Sequence, residues 1–207
     1  RRFDVDVMDD LETAGLAFGR LSAQFIRDKV VPELDAFRFA SYCGISGVTK
    51  KEETLADGAA TVAALSAAVT AMDDEEVTAT GRYLFITPTL LQGINDMDTT
   101  KSKKVLEGFE QVIKVPQRRF YTAIKQLSGK TGEEAGGYTK AAGAANINFA
   151  IVQKDALIQY TKHAAPKIIA PENNPDADAY VFGYRMVGIA KAYKNMLSGM
   201  YFSHDKA

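Results

Sequence analysis

The sequence predicts a mixed α+β fold, and three patterns point to it. From Leu11, apolar residues recur at helical spacing. Tyr83-Leu84-Phe85-Ile86 is a short, continuously apolar run followed by Thr87-Pro88, the signature of a buried strand running into a helix start. Tyr180, Phe182, Tyr184 and Met186 alternate with Val181, Gly183, Arg185 and Val187, the period of two expected of a strand.

The elements follow in order. Ala14, Phe18, Leu21 and Phe25 fall on one helical face, with Asp9 and Asp10 before it, where acids favour a helix N-terminus. The stripe resumes at Val30, Leu34, Phe37 and Ser41 and ends at Gly44 and Gly47. Pro32 is expected to kink or split this helix of roughly 30 residues, about 45 Å if continuous. Residues 44–58 read as an exposed loop. Asp57 then caps an alanine-rich helix with a Val62, Leu65, Val69, Met72 stripe, which stops at the acidic run 73–76. Leu90, Leu91 and Ile94 are the expected buried side of the helix that opens at Thr87-Pro88. Residues 95–102 read as a loop, 103–109 as a short helix, and 111–115 as a strand ended by Pro116. The Gly-rich stretch 128–145 reads as a mobile loop. Residues 148–152 read as a strand, and Ala156, Leu157 and Tyr160 suit a short helix. Lys167-Ile168-Ile169, between Pro166 and Pro171, is an extended edge or strand end. Residues 172–176 form a turn, and 196–202 form the last strand. No internal repeat is visible.

Composition bounds the function. The chain has 207 residues, 46% of them apolar, with 25 Lys and Arg against 26 Asp and Glu. A chain of this length buries roughly 70% of its unfolded surface and needs no staple. The near-balanced charge argues against a dedicated nucleic-acid binder. No apolar run approaches the roughly 20 residues of a membrane helix. Cys43 is the only cysteine, so an internal disulfide is excluded and a reducing compartment is expected. No signal peptide is visible, and a segment is expected to precede Arg1.

The search for chemistry finds little. His163 and His204 are the only histidines, too few with one Cys for a classical structural zinc site. Asp96/Asp98 and Asp176/Asp178 are the tight acidic pairs, but neither has the spaced ligand set of a calcium loop. Gly129-Lys130-Thr131 ends like a phosphate loop, yet Ile124 stands where its first glycine is required, and acids follow. Cys43 with His163 could pair as nucleophile and base, without any local signature. Arg118-Arg119 beside Phe120-Tyr121 suits a protein interface. No catalytic residue, metal or cofactor is expected.

Several strings together carry a resemblance. They are Phe18-Gly19-Arg20-Leu21, Val30-Val31-Pro32-Glu33, Arg82-Tyr83-Leu84-Phe85-Ile86-Thr87-Pro88, Val115-Pro116-Gln117 and Arg119-Phe120-Tyr121. Further on come Ala135-Gly136-Gly137-Tyr138, Thr161-Lys162-His163, Pro175-Asp176-Ala177-Asp178-Ala179 and Phe182-Gly183-Tyr184-Arg185. Their order, from Phe3 to about Phe202, resembles the major capsid proteins of tailed bacteriophages and prophages. The resemblance implies the Hong Kong 97-like coat fold, with a long spine helix, a peripheral domain and an axial domain. Residues 1–9 would be the remnant of an extended hairpin strand. Residues 10–47 and 166–190 would form the peripheral domain, and 48–165 with 191–207 the axial domain.

The resemblance further implies a structural subunit, not an enzyme, that self-assembles as pentamers and hexamers of an icosahedral phage head around double-stranded DNA. Its location would be the virion capsid, assembled in the bacterial host cytoplasm. A scaffolding protein, a maturation protease and a portal are the other expected partners, with non-specific contact to packaged DNA and none to membrane. The expected subunit-contact residues are Arg20, Arg27, Asp98, Lys101, Arg118, Arg119, Tyr138 and Lys167. A nanocompartment shell of the same fold and a small α/β enzyme are the competing readings.

Overall fold

A computed structural model of the chain describes residues 2–12, 16–133 and 136–206, without the side chain of Arg2. The elements are β1 (Arg2–Asp6), α1 (Val7–Glu12), α2 (Ala17–Phe25), a π-helical turn (Ile26–Val30), α3 (Val31–Cys43), β2 (Thr49–Glu52) and α4 (Gly58–Asp74). They continue with β3 (Arg82–Ile86), α5 (Pro88–Met97), α6 (Thr100–Glu107), β4 (Gln111–Lys114), β5 (Ile124–Leu127), β6 (Gly137–Lys140) and β7 (Ile147–Gln153). The last are β8 (Leu157–Ile169), β9 (Ala179–Ala192) and β10 (Met200–His204). The chain divides into two compact units. Unit one holds Arg1–Leu34, Gln126–Gly137 and Gln159–Ile189, and unit two holds the rest.

In unit one, β1 pairs antiparallel with the first part of β9, and β8 lies on the other side of β9. Alternation along β1 turns Phe3 and Val5 inward and Asp4 and Asp6 to solvent. The core is an aromatic cluster. Phe3 stacks tilted on Phe25 and Phe182, each at 5.2 Å between ring centroids. Phe18 reaches Tyr180 at 5.5 Å and meets Phe182 edge-on at 6.2 Å. Phe18 and Phe25 are thus the inward stripe of α2, while Leu21 is exposed; Ala14 lies outside the described residues. The Asp10 carboxylate accepts from the Phe18 N–H at 3.0 Å, supplying a partner for a donor of the first turn of α2.

Pro32 neither ends the helix nor splits it. It sits at the second position of α3, directly after the π-helical turn. In that turn the Val31 N–H donates to the Ile26 carbonyl five residues back. The wider turn relieves the clash of a proline ring with the carbonyl four residues earlier, at the cost of one extra residue in the spiral. That residue shifts the phase of the stripe. Ala36, Tyr42 and Cys43 are buried, whereas Phe37, an expected core position, is 41% exposed.

Unit two is built on a five-stranded mixed sheet, ordered β2-β10-β7-β3-β4. β7 is central, antiparallel to both β3 and β10, and all seven of its residues are buried. One sheet face packs Leu84, Ile86, Phe149 and Ile151 against Val62, Leu65, Ala68 and Met72 of α4 and Leu91 and Ile94 of α5. The other packs Ala150, Val152 and Phe202 with Tyr42, Cys43 and Phe120. Phe39 of α3 meets Phe85 and Phe120 edge-on at 5.3 and 4.7 Å.

Of the two expected N-caps, Asp57 forms its side-chain bond, whereas Thr87 stands at the cap position of α5 without one. The Asp57 carboxylate accepts from the Ala60 N–H at 2.7 Å, and Pro88 occupies the first turn of α5. Thr99 and Ser102 form a reciprocal capping box at the start of α6. Gly58 is required by close approach of two helices: a Cβ there would lie 2.2 Å from the Gly93 carbonyl oxygen. Arg82, with a side chain only 2% exposed, ties the connection after α4 to the sheet. Its Nη2 pairs with Asp73 at 2.7 Å and donates to the Val77 carbonyl, and its Nε donates to the Thr78 carbonyl at 3.2 Å.

Five expectations are corrected. Residues 49–52 are strand, not loop, because they pair in parallel with β10. Helix α5 runs to Met97 and α6 begins at Thr100, so most of 95–102 is helical. Residues 137–140 are strand β6, paired with β5, rather than loop. No helix contains Leu157 and Tyr160; after a 3₁₀ turn at Lys154–Ala156 the chain enters the 13-residue strand β8. The last strand begins only at Met200, after a 3₁₀ turn at Leu197–Gly199.

Two variant pairs test this packing by chemical denaturation. Gly58→Ala should destabilise by about 1–3 kcal/mol, since the helices must separate. Gly93→Ala, whose added Cβ meets only ordinary contacts of 3.5 Å, should be neutral or gain up to about 1 kcal/mol. Arg82→Met should cost about 1–3 kcal/mol, and Asp73→Asn, at the exposed end of the same pair, under about 1 kcal/mol.

Candidate functional site

The candidate nucleophiles Cys43 and Ser203 are buried. Cys43 closes α3 inside the core of unit two, and burial pushes its thiol pKa up, away from the thiolate a nucleophile requires. His163 is exposed on β8, in unit one. Ser203 donates to Glu53 Oε1 at 2.6 Å, and Lys51 lies 3.0 Å from Glu53 Oε2. Ser203 has no exposed surface. Asn148 also donates to the Glu53 carbonyl at 3.0 Å. The group therefore cross-ties the chain after β2 to β10 and β7. Hydrogen bonding to Glu53 raises the Lys51 pKa, keeping the tie charged.

Among the described residues, no group of three or more His, Cys, Asp or Glu is placed to hold a metal. Asp96 accepts from Gln92 at 2.6 Å, and Asp98, in the left-handed region at the end of α5, pairs with Lys103 at 2.6 Å. Asp176 lies in the turn before β9, its N–H donating to Asn174 Oδ1 at 3.3 Å, and the Asp178 carbonyl accepts from Val7. Among the described residues, no helix is long and apolar enough to cross a membrane.

The expected contact residues are scattered over the surface. Arg20 and Arg27 are exposed on α2 and the π-helical turn; Arg27 pairs with Asp28 at 3.1 Å, and its hydrogen bond lowers the Asp28 pKa. Lys101 is exposed on α6, and Lys167 on β8. The structure brings three together in unit two. Arg119 pairs with Asp35 at 3.1 Å, and the Tyr138 hydroxyl donates to the Arg118 carbonyl at 2.8 Å, leaving the Arg118 side chain exposed. Burial raises the Tyr138 pKa, so the phenol stays a donor.

The larger surface features were not among the expected residues. Residues 159–169 of β8 and 179–189 of β9 form a two-stranded ribbon in unit one. Beyond its pairing with β1, the ribbon is open to solvent and displays Tyr160 (62% exposed), Ile168 (58%), Val187 and Ile189. Helix α1 buries none of its residues and displays Met8 and Leu11, about two-thirds exposed. Contiguous exposed apolar patches mark interaction surfaces more often than singly scattered residues do. The available signal was the period-two run through Val187. Tyr160 was hidden by its helical spacing from Leu157.

No family model matches the chain, and no curated protein does. Solved structures do. A structure from Mycobacterium phage Che8 superposes with a TM-score of 0.62 at 12% identity, over 98% of this chain and 68% of that one. The virus-like particle from Pyrococcus furiosus gives 0.60 at 9% identity, over 98% of this chain and 74% of that one. The capsid of the cyanophage P-SCSP1u gives 0.55 at 16% identity, over 99% and 71%. The chain thus has the fold of the proteins that build the cyanophage capsid and the archaeal particle, as its sequence resemblance implied.

Proposed function

We propose that this chain is a shell subunit, the major coat protein of a tailed-phage head that encloses double-stranded DNA. The likeness of nearly the whole chain to phage-capsid and virus-like-particle structures carries the reading. The exposed apolar ribbon and α1 support it, since a tile needs broad sticky surfaces more than a cleft. The role is structural rather than enzymatic. Residues 10–47 and 166–190 would be the peripheral domain, with the helix through α2 and α3 as the spine, and residues 48–165 with 191–207 the axial domain. Copies would meet as pentamers and hexamers through repeated contacts around symmetric rings, each modest and jointly strong. A near-neutral subunit can pack against its own kind without net repulsion.

Arg20, Arg27, Asp98, Lys101, Arg118, Arg119, Tyr138 and Lys167 are the proposed contact residues. Scaffolding protein, maturation protease and portal are the proposed assembly partners. Packaged DNA would be held by confinement, without sequence recognition. The virion would be its final location and the host cytoplasm its place of assembly. No observation favours the nanocompartment reading over this one.

Expression with its natural flanking sequence, followed by sedimentation and electron microscopy, tests the proposal. Capsomer rings or closed shells are expected; monomers that persist at high concentration would refute it. Shells that hold a folded enzyme and no DNA would reassign the chain to a nanocompartment.

A further inference from the structure

We propose that a basic patch of unit two, built from Lys114, Arg118 and Lys140, binds the phosphate backbone of duplex DNA. The inference rests on the shell-subunit reading, which supplies the DNA, and adds an attractive contact to confinement. Two stretches of unit two, 111–125 and 138–153, carry Lys114, Arg118, Arg119, Lys125 and Lys140 and no Asp or Glu. The fold joins them. Tyr121 bridges to Asn146, the Ile147 N–H donates to the Phe120 carbonyl at 3.0 Å, and the Tyr138 hydroxyl donates to the Arg118 carbonyl. Acid meets the patch at Asp35, which pairs with Arg119, and at Asp205, which accepts from Asn146 at 3.4 Å. Lys114, Arg118 and Lys140 are exposed, and among the described residues none of the three has an ion-pair partner.

The composition of the patch selects its ligand. Among the described residues, none of the exposed large apolar side chains lies in either stretch. A contact between copies needs apolar or aromatic anchors at its centre, whereas a contact to nucleic acid is more polar and strongly positive. The rings favour duplex over single strand. Phe120 has no exposed surface, and Lys140 already lies over the half-buried Tyr121, its Nζ 5.8 Å from the ring centroid. That leaves little ring for a base to stack on. The cations face the backbone instead, which carries no sequence information. Each contact is weak alone, and the many copies of a shell act together.

Fluorescence anisotropy tests the site, with a short duplex of arbitrary sequence titrated at several salt concentrations into the chain with its natural flanking sequence. Lys114→Gln/Arg118→Gln/Lys140→Gln alters only exposed side chains, and circular dichroism and thermal melting check that the fold is kept. Its affinity at low salt should fall about tenfold or more, and the slope of log affinity against log salt should shrink by about 2–3, near 0.9 for each lost phosphate contact. Lys114→Arg/Arg118→Lys/Lys140→Arg should keep both values, and a duplex of different sequence should bind alike. Lys162→Gln/Lys167→Gln/Arg185→Gln removes the same charge from unit one and should bind as the wild type does. A wild-type chain that binds no duplex overturns the site. So does a patch variant with unchanged affinity and slope, or an equal loss in the unit-one variant. A patch variant that binds duplex normally but assembles poorly also overturns it and leaves Arg118 to the subunit contacts. Duplex binding through the patch in a chain that never assembles would refute the shell-subunit reading and leave the site standing.

Discussion

Strand β7 has no residue facing water, and unit two is organised by that constraint. A strand buried on both faces must be flanked by other strands and covered above and below, or its backbone groups and apolar side chains stay unsatisfied. Helices α4 and α5 cover one face, and the end of α3 with Phe120 covers the other. Where polar groups enter this interior they arrive in pairs: Ser203 with Glu53, and Asn148 with the Glu53 carbonyl. Arg82 is the costly exception to an apolar interior, and it is accepted because two carbonyls and Asp73 receive its donors.

Unit one obeys a looser rule. Its core is a handful of aromatic rings clasped between β1, α2 and the near part of β9. Rings supply much buried area from few residues, which lets a small core hold three strands and a helix. It does not extend to the far part of the ribbon or to α1. The hydrophobic effect is therefore left incomplete in the isolated chain, and what remains uncovered is available to a neighbour.

How much of this was legible depends on how local each cause is. Asp57 announces its helix by a cap bond made within three residues, and Pro88 announces α5 by its fixed φ at the first helical position. Tyr83–Ile86 and the run from Tyr180 announce strands because burial imposes their pattern. Strand β2 is illegible for the opposite reason: Thr49-Lys50-Lys51-Glu52 is an edge whose side chains are all exposed, and only its distant partner makes it a strand. Leu157 and Tyr160 have helical spacing, but pairing beside β9 overrides it. Phe37 is misread because the π-helical turn before Pro32 slips the period by about one residue. As for function, exposed apolar residues such as Ile168 carry no local signature. Their meaning comes from what fails to cover them.

The placement of β10 has a consequence for how the molecule is made. It lies between β2 and β7, so neither the parallel pair with β2 nor the burial of β7 is complete until residues 200–204 exist. Ser203 meets Glu53 across 150 positions. At about 5–20 residues per second on the ribosome, the first strand waits on the order of ten seconds for its neighbour. Throughout that interval the nascent sheet is open along one side, so the fold of unit two closes only after translation of its last strand.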